Sequence, residues 1–125
     1  MSPSLQPSKR LSMLQRLALK LRNLAYKNRR LLKPGNRLEL PESSERNLKK
    51  TTIKLRGSNN RLVIGENVTL THCEIRLDGA DNLIEIGDNV RFSSGKIYLV
   101  GTRGQHIRIG SETTVEGAYL LVDEA

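Results

Sequence analysis

Residues 53–70 read IKLRGSNNRLVIGENVTL, and residues 75–92 repeat the same pattern as IRLDGADNLIEIGDNVRF. A third copy, IYLVGTRGQHIRIGSETTV, occupies residues 97–115, and a fourth begins at Leu120. The Ile-Gly step at Ile64 recurs 22 residues later at Ile86, and 23 residues after that at Ile109. A repeat of this length indicates a solenoid, in which each coil buries its apolar side against the neighbouring coils.

Each copy of the repeat divides into three strands and three corners. Apolar and polar residues alternate in the first strand, a second strand ends at the Ile-Gly step, and a third strand follows the next corner. The corners are rich in Gly and Asn, which adopt positive φ at low cost. Stacked coils place Asn60 against Asn82 and Asn67 against Asn89, so their side-chain amides are predicted to form ladders.

This pattern predicts an all-β parallel β-helix for residues 51–125, with coils of about 22 residues. Both a left-handed and a right-handed course accept a coil of this length. Three inward columns are expected: Ile53/Ile75/Ile97, Leu55/Leu77/Leu99 and Ile64/Ile86/Ile109. The same register pairs opposite charges outside: Arg56 with Asp78, Glu74 with Lys96, and Glu85 with Arg108. Such pairs contribute about 0.2–1 kcal/mol each, which favours this register.

Composition narrows the class of protein. Aromatic residues make up only 3% of the chain, and a narrow stack of aliphatic side chains does not need more. The single cysteine, Cys73, excludes an intrachain disulfide framework and fits a reducing compartment. No apolar run is long enough to span a membrane, and Lys9, Arg10 and Arg16 interrupt the N-terminal apolar stretch, unlike in a secretory signal. We therefore expect a cytoplasmic protein.

The N-terminal residues 1–35 are predicted to hold one basic amphipathic helix over residues 8–32, capped by Ser8. Its apolar residues recur at steps of three and four: Leu11, Leu14, Leu17, Ala18, Leu21, Leu24 and Ala25. Three interpretations are open: packing on the solenoid or another subunit, contact of residues 9–33 with an anionic membrane, or nucleic-acid binding. Since no recognition motif or aromatic platform accompanies the basic residues, no nucleic-acid partner is predicted.

The basic charge of the chain is confined to its first part. Residues 1–50 carry 13 Lys and Arg against 3 Glu, whereas residues 51–125 carry 8 Lys and Arg against 10 Asp and Glu. The high isoelectric point is therefore not evidence that the repeat domain binds an anionic polymer. Residues 36–50 mix Pro, Asn, Ser and charged residues, and they are predicted to form a linker with one short extended piece.

The sequence around the Ile-Gly steps resembles a known family. Ile64-Gly-Glu-Asn-Val68-Thr, Ile86-Gly-Asp-Asn-Val90-Arg and Ile109-Gly-Ser-Glu-Thr113-Thr are similar to the repeats of the bacterial hexapeptide-repeat acyltransferases. The 22-residue coil resembles the members that occur in polysaccharide gene clusters. This resemblance covers residues 51–125. It implies a left-handed parallel β-helix, a homotrimer, acetyl-CoA as acyl donor, and a sugar or lipid-linked saccharide as acceptor.

In that family a histidine acts as general base on the acceptor, and only His72 and His106 stand as candidates here. Neither has an adjacent aspartate in the sequence to orient it, so both are predicted to be structural or solvent-exposed. His72 and Cys73 together suggest a nucleophile and its base, but adjacent residues on a strand point to opposite faces. No spacing of histidine or cysteine typical of a metal site occurs, so no metal is predicted.

Two functions follow from these observations. The first is an acetyl-CoA-dependent acetyltransferase acting on a sugar in bacterial surface polysaccharide biosynthesis, with peripheral attachment at the inner membrane face. Because the family's catalytic histidine sits in a later coil, the chain is expected to be an N-terminal part of such an enzyme and inactive alone. The alternative is a non-catalytic scaffold or oligomerisation module. A further coil that carries histidine and basic residues would separate the two.

Overall fold

A short helix precedes three parallel sheets in the computed structural model, which describes residues 12–123. In chain order the elements are α1 Met13–Ala25, β1 Arg29–Leu32, β2 Arg37–Glu39, α2 Glu42–Glu45, β3 Leu48–Lys49, β4 Thr52–Ser58, β5 Arg61–Ile64, β6 Thr69–Thr71, β7 Glu74–Ala80, β8 Leu83–Ile86, β9 Arg91–Ser93, β10 Lys96–Arg103, β11 His106–Ile109, β12 Thr114–Glu116 and β13 Tyr119–Asp123.

The strands form a β-solenoid of about four coils, and every strand pair is parallel. The first sheet has the order β1-β4-β7-β10-β13, the second β11-β8-β5-β2, and the third β12-β9-β6-β3. We number the coils by residue range: coil 1 is 29–50, coil 2 is 51–72, coil 3 is 73–94, and coil 4 is 95–117. The predicted all-β parallel β-helix is confirmed, and its left-handed course stays a prediction.

The core is a stack of aliphatic side chains in the predicted columns. The first two columns, Ile53/Ile75/Ile97 and Leu55/Leu77/Leu99, are buried throughout. In the third column Ile64 and Ile86 are buried, and Ile109 packs against the core as a partly buried residue. Parallel pairing places each inward residue directly against its equivalent, so one coil's apolar surface is covered by the next.

The predicted asparagine ladder is confirmed at one corner. Asn82 Nδ2 donates to Asn60 Oδ1 over 3.0 Å, and both side chains are buried. Asn60 Oδ1 also accepts from the backbone N–H of Asn82, and Asn36 Oδ1 accepts in the same way from Asn60. Each amide thus binds the backbone of the following coil, which satisfies polar groups that the sharp corner would otherwise bury unpaired.

The other predicted ladder is replaced by different side chains. Asn67 and Asn89 both have positive φ, near 54° and 57°, as their corner requires. The bonds from coil to coil come instead from the neighbouring position, where Asp88 Oδ1 accepts from the N–H of Glu66 at 2.8 Å and Ser111 Oγ accepts from the N–H of Asp88 at 3.1 Å. The short Asp and Ser side chains reach the adjacent backbone because coils lie only about 4.8 Å apart.

One irregularity explains why the second spacing of the repeat is one residue longer than the first. The register between β7 and β10 shifts after Val100, which pairs with Asp78, so that Arg103 pairs with Ala80. The additional residue turns Thr102 inward, where its side chain is buried and its Oγ1 donates to Asn82 Oδ1 over 3.0 Å. An inserted residue therefore forms a bulge in one strand and leaves the columns of the core in register.

Residues 36–50 are not a linker, which corrects the sequence-based prediction. They complete coil 1, because β2 pairs with β5 and β3 pairs with β6. Leu38 pairs with Leu62 and Leu48 with Leu70, so the inward columns extend into this coil. The repeat is hard to recognise here because helix α2 takes the place of the corner that follows an Ile-Gly step in later coils.

The predicted helix over residues 8–32 is also too long. Helix α1 ends at Ala25, Lys27 adopts positive φ, and residues 29–32 form strand β1 against β4. The structure shows an N-cap at Ser12, whose Oγ accepts from the N–H of Gln15, while the predicted cap at Ser8 lies outside the described residues. Leucines at helical spacing continue into β1, which is why periodicity alone extended the helix.

The outer surface follows the predicted register, but its ion pairs are different. Arg56 pairs with Asp78, Glu74 with Lys96, and Glu85 with Arg108, as expected from the repeat. The carboxylate of Asp78 nevertheless contacts Arg76 on its own strand at 3.0 Å. A long basic side chain can reach several acidic neighbours at similar distances, so the strand register alone does not determine its ion-pair partner.

Candidate functional site

One titratable pair lies on the outer face of the second sheet, where β11 packs beside β8. His106 begins β11 and Glu85 lies on β8, in the preceding coil. His106 Nε2 is 2.7 Å from Glu85 Oε1, and the two side chains are 53% and 40% exposed. Glu85 pairs in register with Arg108, so His106 reaches it diagonally across the sheet. The site therefore combines an imidazole, a carboxylate and a guanidinium within one small surface.

The contact defines which nitrogen of the ring is available for chemistry. A carboxylate accepts a hydrogen bond best from an N–H group, so for the neutral ring we assign the tautomer with its proton on Nε2, in which Nδ1 has the free lone pair. An imidazole held in this way can accept a proton from a substrate hydroxyl at its free nitrogen. His106 is one of the two histidines, with His72, that the sequence offered as candidates, and the structure supplies the carboxylate partner that its sequence neighbours lack.

The same diagonal contact occurs one further time on this sheet. Arg61 Nη2 on β5 is 3.0 Å from Glu39 Oε2 on β2, in the arrangement that joins His106 to Glu85. The geometry is thus a property of the sheet. What distinguishes the later coil is the imidazole, because a guanidinium remains charged at any physiological pH and does not accept a proton.

Glu85 is the residue that the sequence analysis missed. Glu85 pairs in register with Arg108 and lies 21 residues before His106, so no residue next to this histidine in the sequence points to it. The signal was present in the repeat, since residues two positions apart on a strand share a face and diagonal neighbours lie about 7–8 Å apart, within reach of long side chains. An acidic residue on the preceding coil should therefore be considered in any solenoid of this type.

His72 lies in a different part of the solenoid from His106 and Glu85. It occupies the corner between β6 and β7 with φ near 54°, and its side chain is exposed. Ser94 and Gly117 have the same positive φ at the equivalent corners, as the alignment of the repeats predicted. His106 lies on the second sheet, so the structure does not bring the two histidines into one site. His72 is therefore a corner residue, in a backbone conformation that the turn between β6 and β7 requires.

Cys73 follows His72 in the chain but points into the solenoid. Its Sγ lies 3.1 Å from the carbonyl oxygen of Phe92, and it is buried. Thr51 occupies the equivalent position in the previous coil, with Oγ1 at 3.1 Å from the carbonyl oxygen of Leu70. Burial raises the pKa of the Cys73 thiol above its ordinary value. A buried, protonated thiol is a poor nucleophile, which argues against a Cys–His pair.

We expect the Cys73 thiol to react with a disulfide reagent at pH 8 about 100-fold more slowly in the folded chain than in urea, because reaction needs both local opening and ionisation. The measurement is thiol release followed by absorbance. Replacement His72→Ala serves as the control and should leave the rate unchanged. Fast reaction of the folded chain that falls in the His72→Ala variant would instead show that the two residues form a reactive pair.

A second polar and aromatic cluster lies on the outer face of the first sheet. The Tyr98 and Tyr119 rings meet edge to face with centroids 5.8 Å apart, and Lys96 Nζ lies 6.0 Å from the centroid of Tyr119. A hydrogen bond to Glu74, together with burial, raises the pKa of Tyr98 to about 12. The phenol therefore stays protonated at neutral pH, and this cluster offers contact surface instead of an acid or base.

Within residues 12–123 no three His, Cys, Asp or Glu side chains are grouped so that they could hold a metal ion. Comparison of the chain with protein-family models, with curated proteins and with solved structures finds no match. The function must accordingly be argued from the geometry of the chain's own residues.

Proposed function

We propose that this β-solenoid is an acyltransferase domain in which His106 is the general base and Glu85 holds its ring. The observation that carries the proposal is the 2.7 Å contact between His106 Nε2 and Glu85 Oε1 on a regular solenoid face. The acyl donor and acceptor classes come from the repeat resemblance described above: acetyl-CoA, and a hydroxyl of a sugar or lipid-linked saccharide. The proposal departs from the expectation of an inactive chain, which places the catalytic histidine in a later coil, because His106 and Glu85 together form an oriented imidazole within the described coils.

The chemistry assigned to His106 is a direct transfer. Its Nδ1 removes the proton of the acceptor hydroxyl as the oxygen attacks the thioester carbonyl. The carbon–sulfur bond then breaks, and the imidazolium returns the proton to the departing thiolate, which gives an acetyl ester and free coenzyme A. Glu85 stabilises the transient imidazolium, since the carboxylate lies beside the protonated Nε2. No net proton is consumed.

The exposure of the pair is compatible with a site shared between subunits. Both side chains are partly open to solvent on a flat sheet, whereas a transfer reaction requires a cleft that excludes water. A second copy of the chain packed along the second sheet would supply the opposite wall. The homotrimer implied by the repeat resemblance is therefore part of the proposal.

The test is acetyl-CoA-dependent thiol release with a panel of sugars, using the whole chain. We expect His106→Gln to lower kcat/KM by about 100-fold or more, because a positioned general base typically contributes 10²–10⁴-fold. Glu85→Gln should cause a smaller loss, because the amide keeps the length of the side chain but removes the negative charge beside the transient imidazolium. Arg61→Gln is the matched control, since it breaks the same diagonal contact at a position without an imidazole, and His72→Gln is a second control.

Two results would contradict the proposal. Turnover that is unchanged in His106→Gln would remove the residue from the mechanism. Calorimetry that detects no heat of binding with millimolar acetyl-CoA, together with no turnover on any sugar, would remove the acyltransferase function.

A non-catalytic scaffold is the second candidate, and the aromatic cluster on the first sheet favours it. Tyr119 and Leu121 are well exposed on β13, beside the half-buried Tyr98. Apolar side chains grouped on a regular outer face are typical of contact surfaces between proteins. The solenoid carries a small net charge, since residues 29–50 contribute +4 (7 Lys and Arg, 3 Glu) and residues 51–125 contribute −2, so copies of it do not repel strongly. This candidate gains support if the chain forms a defined oligomer but binds no acetyl-CoA.

A further inference from the structure

Helix α1 turns its apolar side away from the solenoid. Five large apolar side chains of this helix are between 53% and 86% exposed: Met13, Leu14, Leu17, Leu21 and Leu24. The half-buried side chains of the helix include Leu19 and Arg22, which lie outside that group. An amphipathic helix that packs on its own domain does the opposite and buries its apolar stripe. Helix α1 therefore presents an exposed apolar surface, which is expected to contact an apolar partner outside the solenoid.

The arrangement of residues around α1 is that of an interfacial helix. At 100° per residue, the five exposed apolar side chains, with Ala18 and Ala25, span an arc of about 140°. Lys20 and Arg16 follow at one edge of this arc, and Arg22 lies beyond the other edge. Long basic side chains at the boundary of an apolar face can extend their charged ends towards phosphate groups while their methylene stems remain among apolar groups.

The charge around the helix has one sign. No Asp or Glu occurs before Glu39, and the same stretch contains ten Lys and Arg residues. Further basic side chains are exposed just after the helix and in coil 1: Lys27, Arg29, Lys33, Arg37, Arg46, Lys49 and Lys50. A surface that combines exposed leucines with unopposed cations is complementary to a phase that offers both hydrocarbon and anions, which is an anionic lipid surface.

The helix is attached to the solenoid at its C-terminal end, so such a surface would hold the whole domain. The carbonyl oxygen of Tyr26 accepts from the backbone N–H of Lys50 over 2.7 Å, and Lys49 Nζ lies 5.6 Å from the centroid of the Tyr26 ring. Tyr26 is itself partly exposed at this junction. Tyrosine and basic residues are favoured at the level of lipid headgroups.

Other occupants fit the helix less well. A second copy of α1 would bring the same cations together, and the helix has no acidic side chain with which to pair them. A nucleic acid would be bound by the cations, but it would leave the leucine arc in water. The segment is too short and too charged to cross a bilayer, and no helix within residues 12–123 is long and apolar enough to do so.

We propose that α1 lies in the plane of an anionic lipid surface, with its leucine arc among the acyl chains and Arg16, Lys20 and Arg22 at the phosphates. The proposal is independent of the acyltransferase function, because it uses residues that play no part in the His106 site.

The experiment is co-sedimentation of the whole chain with vesicles of phosphatidylcholine, with or without 30% phosphatidylglycerol. We expect at least tenfold stronger partitioning onto the anionic vesicles at low salt, and a marked fall at 0.5 M salt. The double variant Leu17→Glu/Leu21→Glu should abolish binding. The triple variant Arg16→Gln/Lys20→Gln/Arg22→Gln should weaken it by up to about 100-fold, since each cation near such a surface contributes about fivefold.

Two matched controls come from the solenoid. Tyr119→Glu/Leu121→Glu replaces apolar residues of similar exposure, and Arg61→Gln/Arg91→Gln/Arg103→Gln removes the same number of exposed positive charges. Both should bind anionic vesicles about as well as the unmodified chain. Because all the substituted helix positions except Arg22 are well exposed, the variants should keep the native circular dichroism spectrum and melting temperature.

Four outcomes would overturn the proposal. Equal binding to neutral and anionic vesicles would remove the charge argument, and undiminished binding of the Leu17→Glu/Leu21→Glu variant would remove the apolar one. If this variant instead lowers the mass of the chain measured by light scattering without vesicles, a second copy covers the helix. The anionic partner is a nucleic acid if the chain does not bind vesicles but binds RNA, and if this RNA binding is weakened by the triple variant and unaffected by Leu17→Glu/Leu21→Glu.

Discussion

Replacement of Asn82 by alanine is expected to lower the free energy of unfolding by about 4 kcal/mol, measured by urea denaturation. The amide of Asn82 donates to Asn60 Oδ1 and to the carbonyl oxygen of Thr102, and it accepts from Thr102 Oγ1 and the N–H of Gln105, all within 3.1 Å. The side chain is 1% exposed, so water cannot replace these bonds. Each buried group left without a partner costs about 1–3 kcal/mol.

Gln105→Ala provides the matched control for this variant. Gln105 aligns with Asn82 one coil later, but its side chain is exposed, so its loss should change the free energy of unfolding by less than about 0.5 kcal/mol. A loss of more than 3 kcal/mol would be a large fraction of the stability of a domain of this size. If Asn82→Ala costs less than about 1 kcal/mol, the ladder is not what joins coils 2, 3 and 4 at this corner.

Replacement of Gly95 by alanine is the second change with a large expected effect, about 3 kcal/mol of lost stability. Gly95 is buried, and a Cβ atom added there would overlap the ring of Phe92. Phe92 is itself 2% exposed and packed in the core, so the ring has no free space into which to move. The backbone of Gly95 does not have positive φ, and steric overlap is therefore the cause of the loss.

The same position in the other coils suggests how to restore stability. One coil earlier, Leu70 takes the place of Phe92 and Cys73 takes the place of Gly95. A larger core residue is thus accompanied by a smaller neighbour. We expect Phe92→Leu/Gly95→Ala to be more stable than Gly95→Ala, with a favourable coupling of at least about 1 kcal/mol in the double-mutant cycle. If the losses in stability of the two single variants are strictly additive, the side chains at positions 92 and 95 do not compete for the same space in the core.

The repeat in the sequence was sufficient to predict most of the fold. Ile53, Leu55 and Ile64 recur at the coil length, and that spacing alone defines the three inward columns and the parallel register. The physical reason is that every coil of a solenoid has the same arrangement of strands and corners, so each copy of the sequence pattern is independent evidence for that arrangement. The asparagine ladder at Asn60 and Asn82 followed from the same register.

Coil 1 was missed because its sequence departs from that pattern. Leu38 and Leu48 continue the inward columns, but the corner between them is helix α2 and the first strand contains Arg30 where later coils have an isoleucine. Arg30 is tolerated at this position because its Nη2 contacts both carboxylate oxygens of the buried Glu45 at 3.0 Å. The buried charge is the Glu45 carboxylate, which needs such a partner, whereas Arg30 stays partly exposed. The two residues are 15 positions apart, so their pairing cannot be deduced from periodicity.

The candidate site shows the same division between sequence and structure. The sequence by itself determined the coil, the register and the face on which His106 lies, because these follow from the period of the repeat. The tertiary structure decided that His106 contacts Glu85 while Arg108 does not contact that carboxylate, and that Leu14, Leu17, Leu21 and Leu24 of α1 stay exposed. Side chains on neighbouring strands have several partners within reach, and only their packing in three dimensions selects one.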